Sequence, residues 1–413
     1  HTATIRFGSD SLYTVNFDYA DRAGNNIEKM AKQTFYIDKT APKVSISEIV
    51  DESANNTDGK IGFVITATDT NFDIFKPILT ATIKNGNNFE TKTINIGETK
   101  EINNGVMYVV DNIDSDGIYN ITCTAVDKAG NAYNKVILQR SDGATYVENL
   151  KGQDTLLTFS VNREGSTFML DENTSDIVKK YYVQNVTNDI VVVEINADPL
   201  KEYTVSLNDK KLVEDQDYTI SQEGGKGAWL KYTYKISKKL FDKEGEYKII
   251  VSSKDKADND AFSDVKEANI DFIVDRTAPL VSISGLASNG RYQTDKQKVT
   301  IIPSDAGGAL NTLIIRLIDN DGETIKEIIN CTGDELEKML EKDSGNITFE
   351  IGEGLYQNVQ IICSDCAVDE NGQTNVYNEV FNNISVSSSA FMIFWANKPL
   401  RYGIFGGIGG IIL

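Results

Sequence analysis

The chain reads as an all-β protein of tandem β-sandwich domains arranged in a rod. Three observations predict this. A strand-and-turn pattern recurs four times at domain-sized spacing. A second pattern runs the last strand of one unit straight into the first strand of the next. Segments with helical periodicity are scarce.

The first pattern is a strand that opens near a tyrosine and closes on an aspartate-led turn. It occurs from Tyr13 to Asp21-Arg-Ala-Gly-Asn25 and from Gly117-Ile-Tyr119 to Asp127-Lys-Ala-Gly-Asn131. It recurs from Gly245-Glu-Tyr247 to Asp255-Lys-Ala-Asp-Asn259, and a degenerate copy runs from Gly354-Leu-Tyr356 to Asp365. The aspartates at 21, 127, 255 and 365 are 106, 128 and 110 residues apart, about one sandwich each time. Within the second copy, Tyr119, Ile121, Cys123 and Ala125 alternate with Asn120, Thr122, Thr124 and Val126, the period of a strand with one buried face. The tyrosine sits where its hydroxyl can tie the preceding loop to the strand. In the turn, Asp and Asn bond to local backbone and Gly takes positive φ at low cost.

The second pattern is Asp38-Lys-Thr-Ala-Pro42 and, again, Asp275-Arg-Thr-Ala-Pro279, each leading into Val-Ser-Ile-Ser. Proline suits a first, edge strand because it has no N–H to donate. Junctions this short leave little freedom between units. The other strands fit the plan: Ile61, Phe63, Ile65 and Ala67 alternate, and Val299, Ile301 and Pro303 lead to Asp305. Asn85-Gly86 and Asp319 to Gly322 are hairpin signals. Short helices are expected at 334–342 and 175–180.

These motifs resemble the bacterial Ig-like repeats of Gram-positive surface proteins. The segment Thr158 to Ser166 is similar to one found in such repeat proteins. The resemblance implies immunoglobulin-like sandwiches over about 1–388. The divisions expected are 1–39, the end of one Ig-like domain; 40–141, an Ig-like domain; 142–275, a longer, atypical one whose start lacks Thr-Ala-Pro; and 276–388, another. Residues 389–413 would be a juxtamembrane segment and the start of a C-terminal transmembrane helix. Phe391 to Trp395 is apolar, and Tyr402 to Leu413 carries no charge. The chain therefore reads as a fragment, extracellular at the cell surface and anchored in the membrane by its C-terminus.

Composition narrows the function. The 413 residues hold 41 Lys+Arg against 61 Asp+Glu, a net charge of −20, so phosphate backbones are repelled and nucleic acid is not an expected partner. The one histidine is His1, at the chain end, which leaves no Ser-His-Asp or Cys-His catalysis. No Gly-rich phosphate loop occurs, so no catalytic or cofactor-binding residue is assigned and the chain reads as a non-enzyme. Cys363 and Cys366 have CxxC spacing without a second pair; buried free thiols fit best, with a Cys331–Cys363 bridge as the alternative. Trp229, Tyr232 and Tyr234 lie in one strand, the two tyrosines on one face and Trp229 on the other, and read as core rather than a sugar platform.

The strand order of a sandwich brings certain loops to one pole. Asp38, Asp69 and Asp127 should converge near one junction, and Asp275, Asp305 and Asp365 near another. Oxygen-ligand clusters of this kind can hold calcium and stiffen a rod. The commoner use of such residues is to cap their own turns. The functional expectation is a non-catalytic surface stalk or adhesion-type protein that presents a distal module. The alternatives are an Ig-like accessory region of a surface carbohydrate-active enzyme and an adhesin for host or neighbouring-cell protein or glycan.

Overall fold

The structure, a computed structural model, describes residues 2–28, 30–86 and 88–411, with side chains to residue 404. The only histidine, His1, lies outside the described residues. The chain is mostly strand, and its apolar residues form three separate cores, at 44–161, 168–274 and 299–386. Before them stands an N-terminal hairpin, Ser11–Val15 paired with Gln33–Ile37 and closed by Phe7, Tyr13 and Phe35 in aromatic contact.

The first sandwich packs a five-stranded sheet on a six-stranded one. Ile61–Thr68 buries Ile61, Phe63, Ile65 and Ala67 and turns the residues between them outward, as its alternation predicts. Gly117–Asp127 buries Tyr119, Ile121, Cys123 and Ala125 against that strand from the other sheet. The boundary expected at 141/142 falls inside this unit. Strand Leu157–Val161 pairs antiparallel with Gly117–Asp127, and Leu156, Leu157, Phe159 and Val161 belong to the first core. Phe159 stacks on Tyr119 with ring centroids 5.0 Å apart. The burial these side chains gain there sets the unit's end at about residue 161.

The second sandwich follows after five residues, 162–166. Its four-stranded sheet (Thr167–Leu170, Ile190–Asn196, Leu230–Ile236 and Tyr218–Glu223) faces strands Leu200–Leu207, Gly245–Asp255 and Ile270–Val274. Helix Glu172–Lys180 is capped by Asp171, whose side chain accepts from the Thr174 N–H at 2.8 Å. Tyr232 and Tyr234 are core residues. Trp229 leaves the core to donate its Nε1–H to the Thr82 carbonyl of the first sandwich, at 2.9 Å, and to pack on Phe89.

In the third sandwich, Lys296–Ser304 and Ile347–Gly352 oppose Leu310–Ile318 and Gly354–Val368, with helix Asp334–Lys342 over one edge. Two residues, Tyr182–Val183, run parallel to Ile273–Val274 and touch Val368, so one eleven-stranded sheet passes from the second sandwich into the third. Cys331 and Cys363 lie opposite Leu313 on the two strands flanking it. Two strand spacings of about 4.8 Å exceed the reach of a disulfide, so the Cys331–Cys363 bridge does not form. All four cysteines are free.

Beyond the third sandwich stand helices Ala390–Ala396 and Lys398–Ile411. The first rests on the sandwich, since Ala396 is buried and its carbonyl accepts from Arg291 Nε at 3.2 Å. The second has 14 residues, about 21 Å, against a hydrocarbon layer of about 30 Å. Among the described residues no helix is long and apolar enough to cross a membrane, so the expected transmembrane helix is not found. The final residues of the uncharged run, 412 and 413, lie outside the described residues.

Candidate functional site at the joints between units

Each joint is built from the same three places in the fold. The first is the residue that follows the last strand of the preceding unit. The second is at the end of the strand that follows the first in the new unit. The third is the aspartate that closes the tyrosine strand. At the joint between hairpin and first sandwich these are Asp38, Asp69 and Asp127. At the joint between second and third sandwiches they are Asp275, Asp305 and Asp365. In both, one carboxylate oxygen from each residue lies within 4.8 Å of the other two. Both expected triads therefore converge.

The hydrogen bonds correspond position by position. Asp127 Oδ1 accepts from the Ala129 and Asn131 N–H groups, both at 2.8 Å, and Asp365 Oδ1 from Ala367 at 2.9 Å. Asn131 Nδ2 donates to Asp127 Oδ2 and to the Asp38 carbonyl. Asn375 Nδ2 does the same with Asp365 Oδ2 and the Asp275 carbonyl. Asp38 Oδ1 accepts from Thr40 N–H and Asp275 Oδ1 from Thr277 N–H. Asp69 Oδ1 caps Asn71, and Asp305 Oδ1 caps Gly307 and Gly308. Local capping and convergence thus coexist, because each carboxylate has two oxygens.

The two joints differ in burial and in what meets the second oxygens. Asp38 Oδ2 receives the side-chain amide of Asn71, at 2.6 Å. Gly307 and Gly308 stand in the corresponding turn of the other joint, and a Cβ on either would lie within 3 Å of the Asp275 carboxyl group. Asp275 and Asp365 are fully buried, and Asp275 Oδ2 and Asp305 Oδ2 are buried with no hydrogen-bond partner. None of the ion pairs among the described residues includes any of the six aspartates. Burial raises the carboxyls of Asp69, Asp275 and Asp365 above the usual range, and neighbouring aspartates push the same way.

A third joint, between first and second sandwiches, was not legible as acidic. Its residues are Asn162, Asn196 and Asp255. Asn259 Nδ2 donates to Asp255 Oδ2 and to the Asn162 carbonyl, the same pair of bonds that Asn131 and Asn375 make elsewhere. The capping asparagine follows the junction residue by 93, 97 and 100 residues in the three joints. Asn196 Oδ1 caps Asp198 two residues on, as Asp69 caps Asn71. The repeated Asp255…Asn259 turn was the one sequence signal for this joint.

The CxxC cysteines join neither cluster. Three of the four patterned tyrosines make the expected corner: Tyr13, Tyr119 and Tyr247 donate to the carbonyls of Ser9, Ser115 and Lys243, four residues back, at 2.7–2.9 Å.

Residues 5–140 match the family described as Bacterial Ig-like domain (group 3). The match spans the hairpin, the first joint and most of the first sandwich. No curated protein matches the chain.

Proposed function

We propose that this chain is a load-bearing spacer: a row of Ig-like sandwiches, without catalysis of its own, that holds a distal module away from a bacterial cell surface. The observation that carries this is the absence of linkers. Val161 and Thr167 end and begin neighbouring units, and Val274 and Leu280 do the same at the next joint. Each joint is braced further. Lys226 pairs with Asp51 at 2.7 Å and Glu52 at 3.0 Å across the first-to-second joint, and Arg163 donates to Asp114, Asp116, Thr57 and Gly59. Strand pairing through Val183 and Val368 braces the next. Short, braced joints hold neighbouring domains in one relative orientation.

In this reading the two aspartate triads take a calcium ion each. Calcium prefers oxygen ligands at about 2.4 Å, so oxygens around one ion lie no more than about 4.8 Å apart, and both triads keep within that limit. The unpartnered oxygens of Asp275 and Asp305 supply the need. Each ion would tie the preceding unit, through Asp38 or Asp275, to two loops of the next.

Attachment to the membrane from the C-terminal end belongs to the same reading. Phe391, Trp395 and Tyr402 are exposed there, and Arg401 lies over the Trp395 ring at 4.5 Å, an aromatic and basic pairing suited to a lipid interface. Small-angle scattering of the whole chain in calcium tests the spacer. Three and a half units of about 30–35 Å predict a largest dimension on the order of 100 Å or more, with a narrow distribution. A compact particle, or a broad flexible-chain profile, refutes it.

A further inference from the structure

The three joints share one geometry but not one chemistry, and the middle one contains its own substitute for an ion. At the outer joints the first two positions are aspartates: 38 and 69, 275 and 305. At the middle joint they are Asn162 and Asn196. Asn162 Nδ2 sits among three acceptors, Asn196 Oδ1, Asp198 Oδ2 and Asp255 Oδ2, each at 2.9 Å. Asn196 Nδ2 adds a bond to Asp255 Oδ2 at 3.1 Å and one to Ser166 Oγ at 2.7 Å. Ser160 Oγ donates to Asp198 Oδ1 at 2.5 Å. Asn162, Asn196, Asp198 and Asp255 are all buried, yet no carboxylate oxygen among them lacks a partner.

A comparison with the first joint shows an exchange of roles. There Asn71 donates its amide to the carboxylate of Asp38. Here the junction residue is the amide, Asn162, and the residue two beyond the strand-end cap is the carboxylate, Asp198. The donor has moved from the loop to the junction, where it also reaches Asp255. An amide N–H pair pointing at two carboxylates does the electrostatic work that a cation does between three, and it cannot dissociate.

We infer that the middle joint is locked by the Asn162 amide without any ion, so the first and second sandwiches form one permanent block. This rests on the reading of the outer triads as calcium sites. Under calcium depletion the chain then loosens on either side of that block and not within it.

Two reciprocal variants of the whole chain test it, by calcium calorimetry and by melting in calcium and in chelator. Asn162→Asp places a carboxylate where the amide was. It is expected to bind one calcium more than the wild type and to melt about 5 °C or more lower in chelator, with recovery in calcium. The double variant Asp275→Asn with Asp305→Asn puts the middle joint's two amides into the outer joint, where Gly307 stands in place of Asp198, and so tests the outer site alone. It is expected to bind one calcium fewer and to melt higher than the wild type in chelator. An Asn162→Asp chain that gains no ion and melts like the wild type in chelator overturns the inference. If Asn162→Asp does not fold, Asn162→Ala decides: a loss equal in calcium and in chelator is expected, and a loss seen only in calcium overturns the inference. A wild type that takes up no calcium removes the outer-site reading, and the stability lost by Asn162→Ala in chelator still judges the lock.

Discussion

At the joint between the second and third sandwiches, three carboxylates face one another, and two of their oxygens have no partner. At the joint one unit earlier, two amides and a carboxylate occupy the same places, and every oxygen is satisfied. The backbone is equivalent and the asparagine cap is the same. The difference lies in three side chains, Asn162, Asn196 and Asp198 against Asp275, Asp305 and Gly307, and on the calcium reading it decides whether the joint is complete as folded or takes a cation. A repeated architecture therefore does not imply repeated behaviour: in this chain the joints carry the individuality, and the sandwiches are the constant part.

Variants at the joints should separate the two kinds, starting with the largest effect. Asn162→Ala leaves the buried Asp198 and Asp255 oxygens short of a donor and should cost about 3 kcal/mol, equally in calcium and in chelator. Chemical denaturation followed in both conditions checks this; a loss seen only in calcium would erase the distinction between the joints. Asp365→Asn should act in the opposite manner. On the calcium reading it removes a ligand, so a loss of about 2.7 kcal/mol is expected where calcium is at a hundredfold excess over its dissociation constant, and almost none in chelator. An equal loss in both would make Asp365 a structural cap alone.

The tyrosine corners sharpen the contrast from inside the constant part. Tyr119 is buried, with its hydroxyl pushed up to about 12 by burial and by Asp114 and Asp116, and it donates to Ser115 at 2.7 Å. Tyr119→Phe should cost about 1 kcal/mol whatever the calcium level. Tyr356, the degenerate copy, is partly exposed at φ 58° under the cations of Arg291 and Lys398. Tyr356→Phe should change stability by less than about 0.5 kcal/mol. Thermal melts of the two variants side by side decide whether the corner is a working element or a recurring shape.

The smallest effect expected is a pH slope. Behind the middle joint, Glu194 is buried and accepts from Ser166, Ser253 and Tyr234. Burial raises its carboxyl above the ordinary value of 4.5. A raised carboxyl contributes stability that is complete below the unfolded value and is lost as pH rises through the folded one. Glu194→Gln removes that component, so its melting temperature should fall less than the wild type's from pH 4.5 upward. Parallel curves would show that Glu194 does not titrate in the fold.

Much of this was legible in the sequence. Strands such as Ile61–Thr68 bury one face and show the other, so their period is written plainly. The two acidic triads were legible because sandwich topology fixes which loops share a pole, and Asp-x-Thr-Ala-Pro marks the junction. The middle joint was not, because two of its three residues are amides and its junction has Glu164-Gly-Ser166 in place of Thr-Ala-Pro. Strand Leu157–Val161 was placed in the wrong unit for the same reason: with no junction mark, nothing local to its residues says which core receives Phe159. Trp229 falls on the face opposite Tyr232 and Tyr234, and only the neighbouring sandwich, with Thr82 and Phe89, explains where it points. Contacts between units leave no period in the chain.

Hydrogen exchange of the intact chain, followed by mass spectrometry in calcium and in chelator, tests the comparison most directly, because it reads each joint separately. Removing calcium should speed exchange in peptides covering Asp38, Asp69 and Asp127 and in those covering Asp275, Asp305 and Asp365. Peptides covering Asn162, Asn196 and Asp255 should keep their protection unchanged. Equal loss at all three joints, or loss at the middle joint alone, would contradict the account.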